Sequence, residues 1–385
     1  MKFVSRAAAV VTAAVLLAAS AACGSSDDPA DGNDIAAVAT TAGPATSGSE
    51  SAPASSAGSS VAGSSAATGS SAAGSSAGSA AAAPGSSGPG PATVTTASDG
   101  THTVTGTFTG EVTGVPAKPQ RVVALWRTGS ELAELGVVPV GSLEGEFLEG
   151  ELGADLYRSV AEVPTVGSFE GVDIEKVIAA KPDLIIGMDN GGLSIDYATL
   201  AEIAPTVILK IAEPTDVWRN YPVVAEIVDK TSDFTTKNAD LDAKLGAIAD
   251  EYGDKLKDKS VTAFGVSADE IWISTSKSLL YQRLAQAGFT YNPVYTDDPE
   301  RYVTVLTAEN IPNLADQAAI FYQTNLDGSP IAGNDIVQKQ ESYQRLPAVK
   351  AGREYPVTSG VIYTFVGADE QVEDIRAAAK ALAES

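Results

Sequence analysis

The chain has 385 residues, with 49 acidic against 25 basic side chains and a formal charge of −24. That balance excludes nucleic acid as a partner, because phosphate backbones are met with Lys and Arg. A single histidine, His102, and a single cysteine, Cys23, exclude Ser-His-Asp hydrolysis, histidine-rich zinc sites and any internal disulfide.

Lys2 and Arg6 open the chain ahead of an uncharged apolar run over residues 7–19. The run is short for a membrane span and small residues follow it, so residues 1–22 read as a secretory signal. Cys23 directly follows Ser20-Ala21-Ala22, a placement that resembles the bacterial lipobox, whose cysteine is lipidated. Ser20 stands where that pattern prefers Leu. The alternative is ordinary cleavage after Ala19-Ser20-Ala21, which leaves a free thiol. Lipidation is the expected outcome, since an exposed unpaired thiol is a liability in an oxidising compartment.

Residues 23–95 are mostly Ser, Ala, Gly, Thr and Pro. No Lys or Arg occurs between Arg6 and Lys118, and no aromatic between Phe3 and Phe108. Such a stretch buries too little apolar surface to offset its ordering entropy and is predicted to be a disordered tether. Its reach is about 40–50 Å. Gly74-Ser75-Ser76-Ala77-Gly78 matches a nucleophile elbow by chance of composition, having no strand before it and no helix after.

Residues 96–385 carry α/β patterning. Alternation over about 103–118 predicts an entry hairpin. Residues 121–125 form an apolar strand, a helix capped by Ser130 runs over 131–135, and residues 137–141 form the next strand. A helix opened by Asp173 leads to a strand at 183–187, then a helix at 197–203 and a strand at 206–209. Phe234, Leu241, Leu245, Ile248, Tyr252 and Leu256 recur at helical spacing and predict one long helix over about 234–257. Strands follow at 261–266, 270–274, 318–322 and 354–358, with helices at 278–288, 335–345 and 371–382. The predicted class is α/β: one lobe over about 104–230 and a second over about 260–385, joined by that single long helix.

Three strings carry a family resemblance. They are Pro119-Gln120-Arg121-Val122-Val123-Ala124-Leu125, then Val166-Gly167-Ser168-Phe169-Glu170-Gly171-Val172-Asp173-Ile174 running on to Lys181-Pro182-Asp183, then Leu346-Pro347-Ala348-Val349-Lys350. In this order they resemble the periplasmic binding proteins for iron–siderophores, haem and vitamin B12. The leader and tether are similar in style to actinobacterial lipoproteins. The resemblance implies a substrate-binding protein of an ABC importer, not an enzyme, with its ligand in a cleft between the lobes. It also implies that Glu175 and Glu309, one on each lobe, dock to the membrane permease. Each glutamate also suits a solvated helix N-terminus.

A ferric siderophore arrives with its iron already ligated, so no cofactor or protein-bound metal is expected. Aromatic faces and planar guanidinium donors suit it. Trp126, Arg127, Phe169, Asn190, Trp218, Arg219, Tyr281, Arg301, Tyr302 and Tyr322 stand near predicted element ends and are the candidate contacts. Trp126-Arg127 leads, because that dipeptide at a strand's carboxyl end is a poor core element. Trp272 and Arg283 also stand near element ends, with a plainer reading open for each, Trp272 as core and Arg283 as a surface helix residue. Cleft arginines favour an anionic siderophore over cobalamin, and haem would need a tyrosine ligand. The expected partners are a ferric siderophore, an ABC permease and the membrane through the lipid, with the chain a monomer. An extracellular hydrolase and a cell-wall adhesin are the other classes. The first lacks a histidine partner, and only the tether supports the second.

Overall fold

The computed structural model describes residues 92–267, 270–358 and 362–385, all within one unit. The predicted signal, Cys23 and the tether through residue 91 lie outside the described residues. Order begins two residues before the tether was expected to end, because Thr93–Thr96 is already a strand, β1. It pairs antiparallel with β2 (Thr101–Thr107), which pairs with β3 (Gly110–Pro116). Val104 and Val115 of this small sheet are fully buried, and the Phe108 amide donates to the Ile208 carbonyl at 2.6 Å, fastening the hairpin to the first lobe. The single histidine belongs here. Its Nδ1 lies 3.1 Å from the Thr96 hydroxyl.

The first lobe is a six-stranded sheet. In chain order its elements are β4 (Val122–Ala124), α1 (Gly129–Glu134), β5 (Gly141–Leu143), α2 (Glu149–Val160), β6 (Thr165–Ser168), β7 (Gly171–Val172), α3 (Ile174–Ala180), β8 (Leu184–Asp189), α4 (Tyr197–Ala201), β9 (Thr206–Lys210) and α5 (Thr215–Ile227). The strand order is β7-β6-β5-β4-β8-β9, parallel except for β7. Every residue of β4 and β8 is buried, as expected of parallel strands covered on both faces. Two local expectations fail. The strand expected at 137–141 lies at Gly141–Leu143, because Pro139 has no amide for the ladder, which begins with the Val140 amide on the Val122 carbonyl. Ser130 does not cap α1; Thr128 holds the N-cap position, while the Ser130 hydroxyl donates to the Glu146 carbonyl.

α6 (Thr231–Leu256) leaves this lobe and spans about 39 Å at 1.5 Å per residue. It buries Leu241, Leu245, Ile248 and Leu256, while Phe234 and Tyr252, the other two residues of the predicted stripe, are partly buried.

The second lobe contains β10 (Ser260–Ser267), β11 (Glu270–Ser274), α7 (Leu279–Gln286), β12 (Thr290–Tyr291), β13 (Val303–Leu306), β14 (Ala319–Thr324), α8 (Asn334–Gln338), α9 (Glu341–Gln344), α10 (Pro347–Lys350), β15 (Glu354–Thr358) and α11 (Phe365–Ala383). Its strand order is β13-β11-β10-β14-β15, with β12 also on β10. The helix expected at 335–345 is broken at Gln340, whose backbone is extended. The break lets Tyr343 turn inward, its ring 5.8 Å from Phe264 and its hydroxyl 2.8 Å from Glu354. The last helix starts six residues before its expected position, at Phe365, where the Thr364 hydroxyl accepts the Gly367 amide. No helix among the described residues is long and apolar enough to cross a membrane.

Candidate ligand site at the lobe junction

The carboxyl ends of β4, β6 and β8 carry Trp126-Arg127, Phe169 and Asn190, on the side where open α/β sheets receive ligands. Trp126 and Phe169 meet edge to face at 6.2 Å, and Phe169 is 43% exposed. Asn190 is exposed at the tip of β8, its side-chain oxygen accepting the Gly192 amide. The Met188 amide bonds to the Trp126 carbonyl, which holds the β8 tip beside the Trp126 backbone.

Arg127 adopts a left-handed backbone conformation, φ 62°, an uncommon and strained one for a residue with a side chain. The Glu146 carboxylate holds the turn by accepting three successive amides, Arg127 at 3.2 Å, Thr128 at 2.8 Å and Gly129 at 2.7 Å. Only glycine fits at 129, because a Cβ there would stand 2.5 Å from Glu146 Cγ. The Arg127 guanidinium lies 5.5 Å from the Trp126 ring centre and 4.4 Å from that of Tyr363 in the second lobe. It is also 4.0 Å from the Glu151 carboxylate.

Three glutamates therefore surround this arginine: Glu131, Glu146 and Glu151, all buried. Burial would lower the Arg127 pKa, but Tyr363 and the three carboxyls outweigh it and hold the guanidinium above its ordinary value. Burial raises Glu146 to about 7, against the pull of the Gly129 amide and of Arg127. Glu151 is raised by burial, against Arg127. Burial, then the neighbouring Glu146 carboxyl, raises Glu131 well above the carboxylate range, and neither of its oxygens has a hydrogen-bond partner among the described residues. Sequence reasoning named none of the three as a site residue.

A second set of contacts lies across the junction. Trp218 of α5 packs edge-on against Tyr221 at 5.9 Å and Phe365 at 5.0 Å. The Arg283 guanidinium of α7 lies 4.9 Å from its ring centre. Arg219, one residue on, is exposed and paired with Asp216 at 3.0 Å. In the second lobe Tyr302 meets Trp272 edge to face at 6.3 Å, within electrostatic reach of Tyr363 and of Glu213 from the first lobe. Arg301 is exposed beside it.

Two predicted contacts stand apart. Tyr281 packs on Tyr291 at 5.2 Å, and the Tyr291 hydroxyl is tied to the Ala263 amide and the Ser274 carbonyl within the sheet. Tyr322 pairs across the ladder with Phe264, so it shares the sheet face that Tyr343 covers. Arg283 is corrected in the other direction, since its side chain is buried rather than on the surface. A groove of about 700 Å³ beside β3, α4 and β9 includes none of the predicted contacts.

The sequence profile of the periplasmic binding protein family matches residues 141–359. The chain belongs to that family. It is 25% identical over 259 residues to YhfQ of Bacillus subtilis, which bears the name of an ABC transporter substrate-binding lipoprotein, covering 65% of this chain and 79% of that one. It is 25% identical over 143 residues to the ferric-anguibactin-binding protein FatB of Vibrio anguillarum, covering 35% of this chain and 43% of FatB. The fold matches the siderophore periplasmic binding protein from the fuscachelin gene cluster of Thermobifida fusca at a TM-score of 0.58, with 23% identity over 69% of this chain and 98% of the other. It also matches the Fe3+–Desferal-bound FhuD of Vibrio cholerae at 0.52, with 22% identity over 69% and 97%.

The two glutamates expected to dock occupy equivalent places in this binding protein. β7 and β13 are the edge strands of their sheets. Glu175 lies three residues past the end of β7, and Glu309 three past the end of β13. Both are exposed and both stand in the first turn of a short helix.

Proposed function

We propose that this chain captures a ferric siderophore outside the cytoplasm and passes it to an ABC permease. One observation carries the reading: Arg127 is held between Trp126 of one lobe and Tyr363 of the other, at the carboxyl ends of the strands. Aromatic faces with a planar cation between them suit a large chelate with flat arms. Trp126, Phe169, Trp218, Tyr302 and Tyr363 supply the apolar surface, and Asn190, Arg219 and Arg301 polar groups near it. The iron is cargo, already saturated by its chelator. Among the described residues no group of three or more His, Cys, Asp or Glu side chains is placed to hold a metal ion.

Delivery follows from Glu175 and Glu309 engaging basic residues of the permease, with Cys23 lipidated and the tether setting the distance from the membrane. The test is tryptophan fluorescence of the full chain, titrated with ferric hydroxamate, catecholate and carboxylate siderophores, haem and cobalamin, with iron-free chelators as controls. Saturable quenching by a ferric siderophore supports the reading. Saturation by haem or cobalamin alone overturns the substrate, and silence across the panel overturns the transport role.

A further inference from the structure

Two arginines lie buried at the lobe junction, and their surroundings are opposite. Arg127 is surrounded by Glu131, Glu146 and Glu151, so its charge is already compensated. Arg283 is 4% exposed, and no ion pair reaches it among the described residues. Its Nη1 donates to the Gln371 side-chain oxygen at 2.7 Å, its Nη2 has no hydrogen-bond partner among the described residues, and one face is covered by Trp218. Burial without a counter-charge lowers its pKa to about 10.

A buried charge without a partner is expensive, and an apolar side chain of similar volume would serve packing better. Buried polar atoms left unsatisfied call for an explanation. The position of this one is informative. Gln371, which holds Nη1, also donates to the Thr358 carbonyl, the last residue of β15. Trp218, which covers the guanidinium, comes from the opposite lobe and is only partly buried. Arg283 therefore lies beneath an aromatic cover at the carboxyl end of the second sheet.

We propose that Arg283 is the anion-receiving group of the ligand site. It takes an oxyanion of the bound chelate, a carboxylate or an iron-bound oxygen of a negatively charged complex, once the Trp218 ring moves aside. The inference rests on the siderophore reading and assigns it a charge class: the preferred cargo is an anionic ferric chelate. Arg283, not Arg127, is the residue that selects it. A guanidinium fits because its planar fork meets an oxyanion with two donors.

The test pairs stability with charge selectivity in the full chain. Arg283→Gln and Arg283→Met are compared with wild type in melting temperature and in affinity for ferric enterobactin, an anionic tris-catecholate, for ferric citrate, and for ferrichrome, a neutral trishydroxamate. Both variants are expected to melt at or above the wild-type temperature, having lost an uncompensated charge. Affinity for the anionic chelates should fall about 10- to 100-fold, as for a lost charged hydrogen bond, while ferrichrome affinity stays within about threefold. A lowered melting temperature with unchanged charge preference would show that Arg283 merely supports Trp218, and the proposal would fall. If wild type binds only the neutral chelate, the siderophore reading stands and this inference fails. If it binds none of them, both fail.

Discussion

The carboxylate of Glu134, at the end of α1 in the first lobe, receives the amide of Phe365, the opening residue of α11, at 2.8 Å. Its other oxygen takes the Val366 amide at 2.9 Å, and the Tyr221 hydroxyl donates to the first oxygen, beside the Phe365 amide, at 2.9 Å. A helix start leaves several amides without partners inside the helix. Here a residue of the opposite lobe supplies two of the acceptors.

Replacing Glu134 with Ala should therefore cost more than a surface cap. Helix caps contribute about 1 kcal/mol, and the Tyr221 hydroxyl would lose its side-chain partner as well. A loss of roughly 2–3 kcal/mol is expected from urea unfolding, with Glu134→Gln intermediate. An unchanged unfolding midpoint for Glu134→Ala would mean that the junction is held elsewhere.

Stability should depend on pH through Glu146. Its pKa rises from 4.5 to about 7 on folding, so between these values the folded chain holds a proton that the unfolded chain has lost. The stabilisation is fully present below pH 4.5, declines as pH rises through the window, and is gone above about 7. Its span is roughly 3 kcal/mol at most. Glu131, Glu134 and Glu151 are raised too and act with the same sign. Glu146→Gln should flatten part of the profile, as followed by denaturant midpoints from pH 4 to 8. Parallel profiles for the two proteins would refute this.

Among the described residues Arg127 is the one base beside three buried carboxyls, and Arg127→Met removes it. Breaking such a cluster on one side costs about 3–5 kcal/mol. Because the carboxyls can take up protons, the loss should be larger at pH 8 than at pH 5. Adding Glu151→Gln should recover part of it, a coupling that a double-mutant cycle measures.

Glu175→Ala and Glu309→Ala should leave ligand affinity unchanged and stability within about 0.5 kcal/mol, both side chains being exposed. Uptake of the ferric chelate by cells carrying the permease should drop for each and most for the pair. Normal uptake by the double variant would remove these residues from docking.

Much of the architecture was legible along the chain. β8 announces itself as a continuous apolar run, α6 by its narrow stripe, and β11 and β15 lie where alternation and flanking residues put them. α5 was hidden because Pro222 sits inside it, where a local rule expects a helix to end. α2 was hidden by Gly150 and Gly153, the latter at φ 71° in a kink. Trp126, Arg127 and Phe169 were legible as site candidates because each follows a strand. The three glutamates around Arg127 were not, since Glu131 lies in α1, Glu146 in the loop after β5 and Glu151 in α2, and nothing local marks any of them as buried. The surface alternative for Arg283 fails because the polar side of this amphipathic helix is covered by the opposite lobe.

The final helix has a consequence for the order in which the chain can mature. Glu134 and Tyr221 wait for Phe365 and Val366, residues synthesised some 230 positions after Glu134. Until they arrive, the first lobe has a buried acid without its amides and the aromatic face of Trp218 and Tyr221 without its lid. A product that stops before Phe365 leaves that lobe unfinished, open to proteases and to aggregation. The helix α11 thus acts as the closing seal of the first lobe, a part supplied from far along the chain.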